Sequence, residues 1–269
     1  MPPLKKQLKS ASYRDHVVLT GRLIRSAIAV VALSYAAYSD IRTREVDDLV
    51  WVALVVASAP LVLLDAFNLE SVLAAGLYLV SIYVSFTIGL ASSALGFMGE
   101  ADFLALVSAS LVTPPRSSGF ISLVPSLSVF TNSLLVSCLY PALLLARNLR
   151  LMARGIPLFE NVEASPVERA LALLVLTKVR KQDYLRKQNM YFVAEKVVNR
   201  KRKLIFKARI TESEYSIADD TEWIWVSPYI PFVAAIAAGY VLHLLFGCLI
   251  DPLIAWLYTV SYTHLRAHE

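Results

Sequence analysis

Asp40 closes one apolar run of the chain, and Asp102 closes the segment Gly96-Phe97-Met98-Gly99-Glu100-Ala101-Asp102 between two others. A carboxylate in or beside hydrocarbon is costly, so residues of this kind face a protein or water cavity and carry function. Two carboxylates a few ångströms apart do not both ionise easily; one keeps its proton while the other gives it up. The ionised member takes a proton from water, and the protonated member donates to a carbonyl oxygen. The chemistry this pair offers is hydrolysis of a peptide bond by an activated water, with no metal and no covalent intermediate. It requires two acids from separate segments that the fold brings together.

The neighbouring residues suit that use. Gly96 and Gly99 allow positive φ and close backbone approach, so an extended substrate fits against the chain beside Asp102. Arg44 can orient Asp40 through a charge-assisted hydrogen bond. Glu100 is a rival acid, better read as facing solvent or a substrate lysine. The plainer readings are that Asp40 is an interfacial residue paired with Arg42 or Arg44, and that Asp102 caps the helix that follows. Asp47, Asp48, Asp65 and Glu70 are expected in solvated loops, and Asp251 on the opposite face. Cys138 and Cys248 form no ligand pair, and the four histidines (His16, His243, His264, His268) form no cluster. Neither a metal site nor any cofactor is expected.

These acids sit in a chain of 269 residues, 57% hydrophobic and 17% charged, with mean hydropathy +0.57. Soluble domains are less apolar and more charged, so the composition indicates an integral membrane protein. The expected fold is an all-α polytopic membrane protein of about six transmembrane helices, with a small α+β cytoplasmic domain inserted before the last helix. The spans are expected near residues 23–39, 49–64, 72–95, 102–113, 120–145 and 231–250. The fourth ends at Pro114-Pro115, because proline removes a backbone donor. The domains read as a basic N-terminal segment 1–22, a five-helix membrane part 23–145 with both Asp motifs, a basic insert 146–226, a last helix 227–258, and a tail 259–269. Residues 146–226 hold 16 Lys/Arg against 10 Asp/Glu. Within them an amphipathic helix is expected at 168–179. Strands are expected at 191–198, 203–210 and 223–226, the first two joined by the turn 199–202.

The positive-inside rule puts the basic insert in the cytoplasm, and with it both acidic motifs. Six Lys/Arg in the first 25 residues pull the other way. The run Arg200–Lys203 reads as a solvated turn with the charge to meet anionic headgroups. The net charge of +5 sits beside apolar spans, which fits a lipid bilayer partner and argues against nucleic acid. No cleavable signal peptide is expected, since the first apolar run is long enough to remain as a span. Ser261–Glu269 changes character abruptly and reads as a possible non-native tail.

Ser34-Tyr35-Ala36-Ala37-Tyr38-Ser39-Asp40-Ile41-Arg42-Thr43-Arg44-Glu45-Val46 resembles the first catalytic motif of the prepilin peptidase family (type IV, or class III, signal peptidases). Gly96 to Asp102 resembles the second, in its archaeal form, and Trp225-Val226-Ser227-Pro228-Tyr229-Ile230-Pro231-Phe232 is similar to the approach to the last helix in archaeal preflagellin peptidases. The resemblance runs from about Ile28 to Gly247. It implies an aspartic endopeptidase of an archaeal cell membrane, with Asp40 and Asp102 as the catalytic pair. Its partners would be precursors with class III signal peptides, archaellins and pilin-like proteins, cut on the cytoplasmic side. Glu100 stands where archaeal members usually have glycine, and Asp47-Asp48 replaces the Pro-Asn of many bacterial ones. The four-cysteine zinc segment that accompanies methyltransferase activity is missing, which implies cleavage without N-methylation. The competing readings are a proton-coupled transporter titrating the two Asp, and a presenilin-type intramembrane protease. A transporter would show internal repeats, and none is found.

Overall fold

The computed structural model describes residues 4–67, 72–114, 119–198, 201–206 and 222–266. The chain divides into two compact units, residues 1–136 with 231–269, and residues 137–230.

The first unit opens with α1 (Leu4–Thr43), a helix longer than the expected span. Arg25, Ala29, Leu33, Ala36 and Asp40 are all buried and recur every three or four residues, so they form one stripe along the helix. Its end is fixed by Arg44 at φ 63°, whose N–H bonds to the Asp40 carbonyl at 3.1 Å. Asp47 then caps α2 (Asp48–Phe67) by accepting the Leu49 N–H at 2.9 Å. α3 (Val72–Ala94) ends in a turn where Gly96 adopts φ 76° and the Phe97 N–H bonds to the Ser92 carbonyl at 2.8 Å.

α4 (Glu100–Val112) has 13 residues, hence about 20 Å of rise, against a hydrocarbon core of about 30 Å. The fourth expected span is therefore shorter than a straight crossing of that core needs. Gly99 starts it and Pro114 follows it, leaving no room for more turns. α5 (Pro125–Ser137) is the last helix of this part of the unit.

The second unit begins with α6 (Leu139–Ala153), β1 (Val162–Glu163) and α7 (Pro166–Val175). Then come β2 (Thr177–Arg180), α8 (Lys181–Arg186), β3 (Tyr191–Val193), β4 (Glu195–Val198), β5 (Lys201–Leu204) and β6 (Trp223–Pro228). They form two three-stranded sheets, ordered β1-β5-β4 and β2-β6-β3. Ser165 and Glu168 cap α7 reciprocally. The helix stops before the expected Val179, because Asn148 donates to the carbonyls of Leu173 and Leu176, and Thr177 to Arg180 pair instead with Val226 to Trp223. The expected strand 191–198 breaks at Ala194, which passes the chain from one sheet to the other. Its N–H bonds to Trp225 and its carbonyl accepts from Ile205. Lys201 and Arg202 belong to β5 rather than to a turn, and Arg202 is buried against Glu195 at 2.6 Å. Residues 199–200 and 207–210 of the expected turn and strand lie outside the described residues.

The chain returns to the first unit with α9 (Phe232–Phe246) and α10 (Asp251–Arg266), bent by 57° at Gly247, φ 80°. The expected single span 231–250 is thus a broken pair, and the expected tail is helical to Arg266. Backbone groups freed at the break find side chains, as a membrane interior demands. Asn132 donates to the Gly247 carbonyl at 2.9 Å and accepts from the Leu249 N–H at 3.0 Å. Asp251 accepts the N–H groups of Ile121 and Ser122.

Among the described residues four helical stretches are long and apolar enough to cross a membrane: 16–43, 48–67, 75–94 and 125–153. The broken pair makes up to five, where six were expected. The core of the first unit joins Ala29, Leu33 and Ala36 to Trp51, Leu54, Ala105, Ala109, Val233 and Ile236. Small residues on α1 and α4 let the backbones approach, which is how helices associate when lipid is as apolar as they are.

Candidate active site

α1 delivers Asp40 at its last turn, on the buried stripe, with 9% of the residue exposed. Asp102 is the third residue of α4 and is partly buried. One of its oxygens accepts the Gly99 N–H at 2.9 Å, so Asp102 closes a capping arrangement at the start of its own helix. The plainer reading of Asp102 as a helix cap therefore describes part of what it does.

Four groups converge here. The charge of Asp40 acts on Asp102, and the Arg44 guanidinium acts on both. Arg44 Nη1 lies 3.7 Å from Asp40 Oδ1, an ion pair longer than a hydrogen bond. The fourth group is the start of α9, whose Val233 and Ala234 amides lie toward Asp40 without closing a hydrogen bond to its buried Oδ2. The first N–H groups of a helix have no partner within it, so they are available to acids that face them. Asp40 Oδ2 is buried and accepts no hydrogen bond.

The flanking residues divide. Gly96 takes the positive φ expected of it, whereas Gly99 is extended at φ −81°, ψ 171°, and serves through its N–H. Glu100 is exposed in the first turn of α4. Arg42 turns away and donates to the Tyr38 hydroxyl at 2.6 Å. Asp47 and Asp48 are exposed as expected, and Glu70 lies outside the described residues. No group of three or more His, Cys, Asp or Glu suited to a metal occurs among the described residues.

Asp65 corrects its expectation. It is 8% exposed and not solvated, held by Arg22 at 2.9 Å and Arg25 at 3.0 Å. The donors come from α1, some forty residues earlier, which no local pattern announces. The amides of Val233 and Ala234 were missed for a different reason, since every residue but proline has one. The available signal was Pro231, which starts α9 at a defined place.

Known proteins resemble the chain over the same segments. Residues 27–145, which carry both Asp motifs, match the model of the type IV leader peptidase family. The resemblance to that family is thus shown over the segment that holds the two acids. A preflagellin peptidase of Methanocaldococcus jannaschii is 23% identical over 235 residues, covering 84% of this chain and 94% of that protein.

Proposed function

We propose that this chain is a membrane aspartic endopeptidase that removes short, basic signal peptides from archaellin and pilin-like precursors. The observation that carries the reading is that Asp40, buried at the end of α1 beside Arg44, and Asp102, in the first turn of α4, both fall in the segment that matches the type IV leader peptidase family. The family match over residues 27–145 and the preflagellin peptidase relative support it.

One acid, ionised, draws a proton from a water held between the pair, and the other donates to the scissile carbonyl oxygen. Arg44 offsets the negative charge that builds up as the water is activated. The substrate's apolar helix stays in the membrane and presents an extended cleavage site at the cytoplasmic interface, against the turn Gly96–Gly99. No metal or cofactor takes part, and the new N-terminus is released unmethylated.

Detergent-solubilised enzyme incubated with an archaellin or pilin precursor should generate one new N-terminus. Asp40→Asn and Asp102→Asn should each lower the rate by at least about 10²-fold while keeping the helical content of the wild type. Undiminished cutting by either variant refutes the assignment.

A further inference from the structure

Both faces of α7 are apolar. On one, Ala172 is fully buried and shares a core cluster with Leu176 and with Leu151 of α6. On the other, Val167, Leu171, Leu174 and Val175 recur at i, i+4, i+7 and i+8, within an arc of about 100°. Among the described residues these four run from 37% exposed at Leu174 to 68% at Val167. A helix face in water is normally polar, and a contiguous apolar one marks a protein or membrane contact.

The docking of α7 on α6 decides between the two. Asn148 of α6 donates to the carbonyls of Leu173 at 3.0 Å and Leu176 at 2.7 Å, and accepts from the Thr177 hydroxyl at 2.9 Å. Leu174 and Val175 are thereby fixed at the level of Asn148. α6 completes the 29-residue stretch 125–153, which rises about 43 Å against a hydrocarbon core of about 30 Å. The first charged residue of that stretch is Arg147, so its C-terminal end leaves the core there, one residue before Asn148. Arg150 and Arg154 follow, all three arginines are exposed, and α6 holds no acid. Leu149 and Met152 stay exposed among them, so apolar surface continues past the first arginine. An apolar stripe beside arginines, at the end of a span, has the make-up of a helix lying in the lipid interface.

We propose that α7 is an interfacial helix, its stripe of Val167, Leu171, Leu174 and Val175 seated in the acyl-chain edge of the bilayer while Arg147, Arg150 and Arg154 meet anionic headgroups. The second unit is then held to the membrane surface by α7 as well as by α6. The proposal goes beyond the peptidase reading and does not depend on it.

The test uses the full-length protein with Cys138→Ser, since Cys248 is buried out of reach of a label. It is reconstituted into vesicles of phosphatidylcholine and phosphatidylglycerol in equal parts. A nitroxide is attached at Leu171→Cys or Leu174→Cys. Leu79→Cys, exposed within the stretch 75–94, serves as the lipid reference, and Gln182→Cys, exposed on α8, as the water reference. Power-saturation electron paramagnetic resonance compares collisions with oxygen, which concentrates in lipid, and with a water-soluble nickel chelate. Oxygen should dominate at 171 and 174 as it does at 79, and nickel at 182. The labelled side chains are exposed, so the labels disturb no packing. Nickel dominating at 171 and 174 places the stripe in water and overturns the proposal. Few collisions with either reagent mean that protein covers the stripe, whether this chain or a second copy, and overturn it equally. The preference of spin-labelled phosphatidylglycerol over phosphatidylcholine for the protein should fall toward equality in Arg147→Gln/Arg150→Gln/Arg154→Gln. An unchanged preference overturns the part given to the arginines.

Discussion

Replacing Asp65 by asparagine should be among the most damaging single changes in the first unit, although Asp65 lies far from the proposed site. Its carboxylate carries two arginines. Arg22 reaches Oδ1 through Nε at 3.0 Å and Nη2 at 2.9 Å, and Arg25 reaches Oδ2 through Nη2 at 3.0 Å. The two are not equivalent, because the Arg22 side chain is 42% exposed and that of Arg25 only 1%. Asp65→Asn leaves Arg25 as an uncompensated charge inside the protein and turns an amide donor toward a guanidinium donor. Removing one partner of a buried pair costs about 3–5 kcal/mol. The reverse change should be mild. Arg25→Met removes the deeply buried charge and leaves Arg22 and Asp65 as a balanced pair, at a cost of about 1 kcal/mol or less.

The decisive measurement is therefore a double-mutant cycle. Unfolding of the wild type, both single variants and Asp65→Asn/Arg25→Met is followed by circular dichroism in mixed micelles as denaturing detergent is titrated. Arg25→Met should recover at least half of the loss caused by Asp65→Asn, since it removes the charge left stranded. A loss below about 1 kcal/mol for Asp65→Asn, or additive losses in the double variant, refutes the argument.

Two further outcomes follow from other parts of the chain. Lys178 is buried in β2, donates to the Pro157 carbonyl at 2.8 Å, and neighbours the Arg202–Glu195 pair; burial, reinforced by Arg202, pushes its pKa down to about 8. Between pH 8 and its ordinary 10.5 the unfolded chain holds a proton that the folded one has lost, so stability should rise across that window, by at most about 3 kcal/mol. Thermal unfolding followed by tryptophan fluorescence should show that rise in the wild type and its absence in Lys178→Met; equal slopes refute it. Gly96→Ala should cost about 1–2 kcal/mol, because Gly96 sits at φ 76°. Gly99→Ala should cost less, since φ is −81° and an added Cβ meets Asp102 Oδ2 at an ordinary 3.6 Å. Thermal melts of the two variants check the order, and a reversed order refutes it.

What could be read from the residues follows the range of the forces involved. The glycine turn before Asp102, the helix starting at Gly99 and the cap at Ser165 with Glu168 depend on groups a few positions apart, and their residue types announce them. α7 was expected to run to Val179 because its apolar period continues. Tertiary pairing of Thr177–Arg180 with Trp223–Val226 wins there, aided by β-branched Thr177 and Val179. α4 was expected to span because its residues are apolar. Gly99 and Pro114 bound it to three and a half turns, which composition does not weigh. Asp65 was read as solvated because it ends an apolar run, whereas its partners lie on the buried stripe of α1.

That stripe also bears on where the acids lie in the bilayer. Arg22 and Asp40 are eighteen residues apart on one continuous helix, hence about 27 Å at 1.5 Å per residue, close to a hydrocarbon core of about 30 Å. Charged side chains are least costly at the edges of that core. With the Arg22–Asp65–Arg25 cluster at one edge, Asp40 falls at the other, where water is within reach. This depth favours the proposed cutting of a precursor at the interface over a presenilin-type cut in mid-membrane. It also weakens the charge argument against a cytoplasmic site. Two of the six basic residues in the first 25 are held by Asp65, and Arg25 is wholly inside the protein, so neither counts as a free cation anchoring that end of α1.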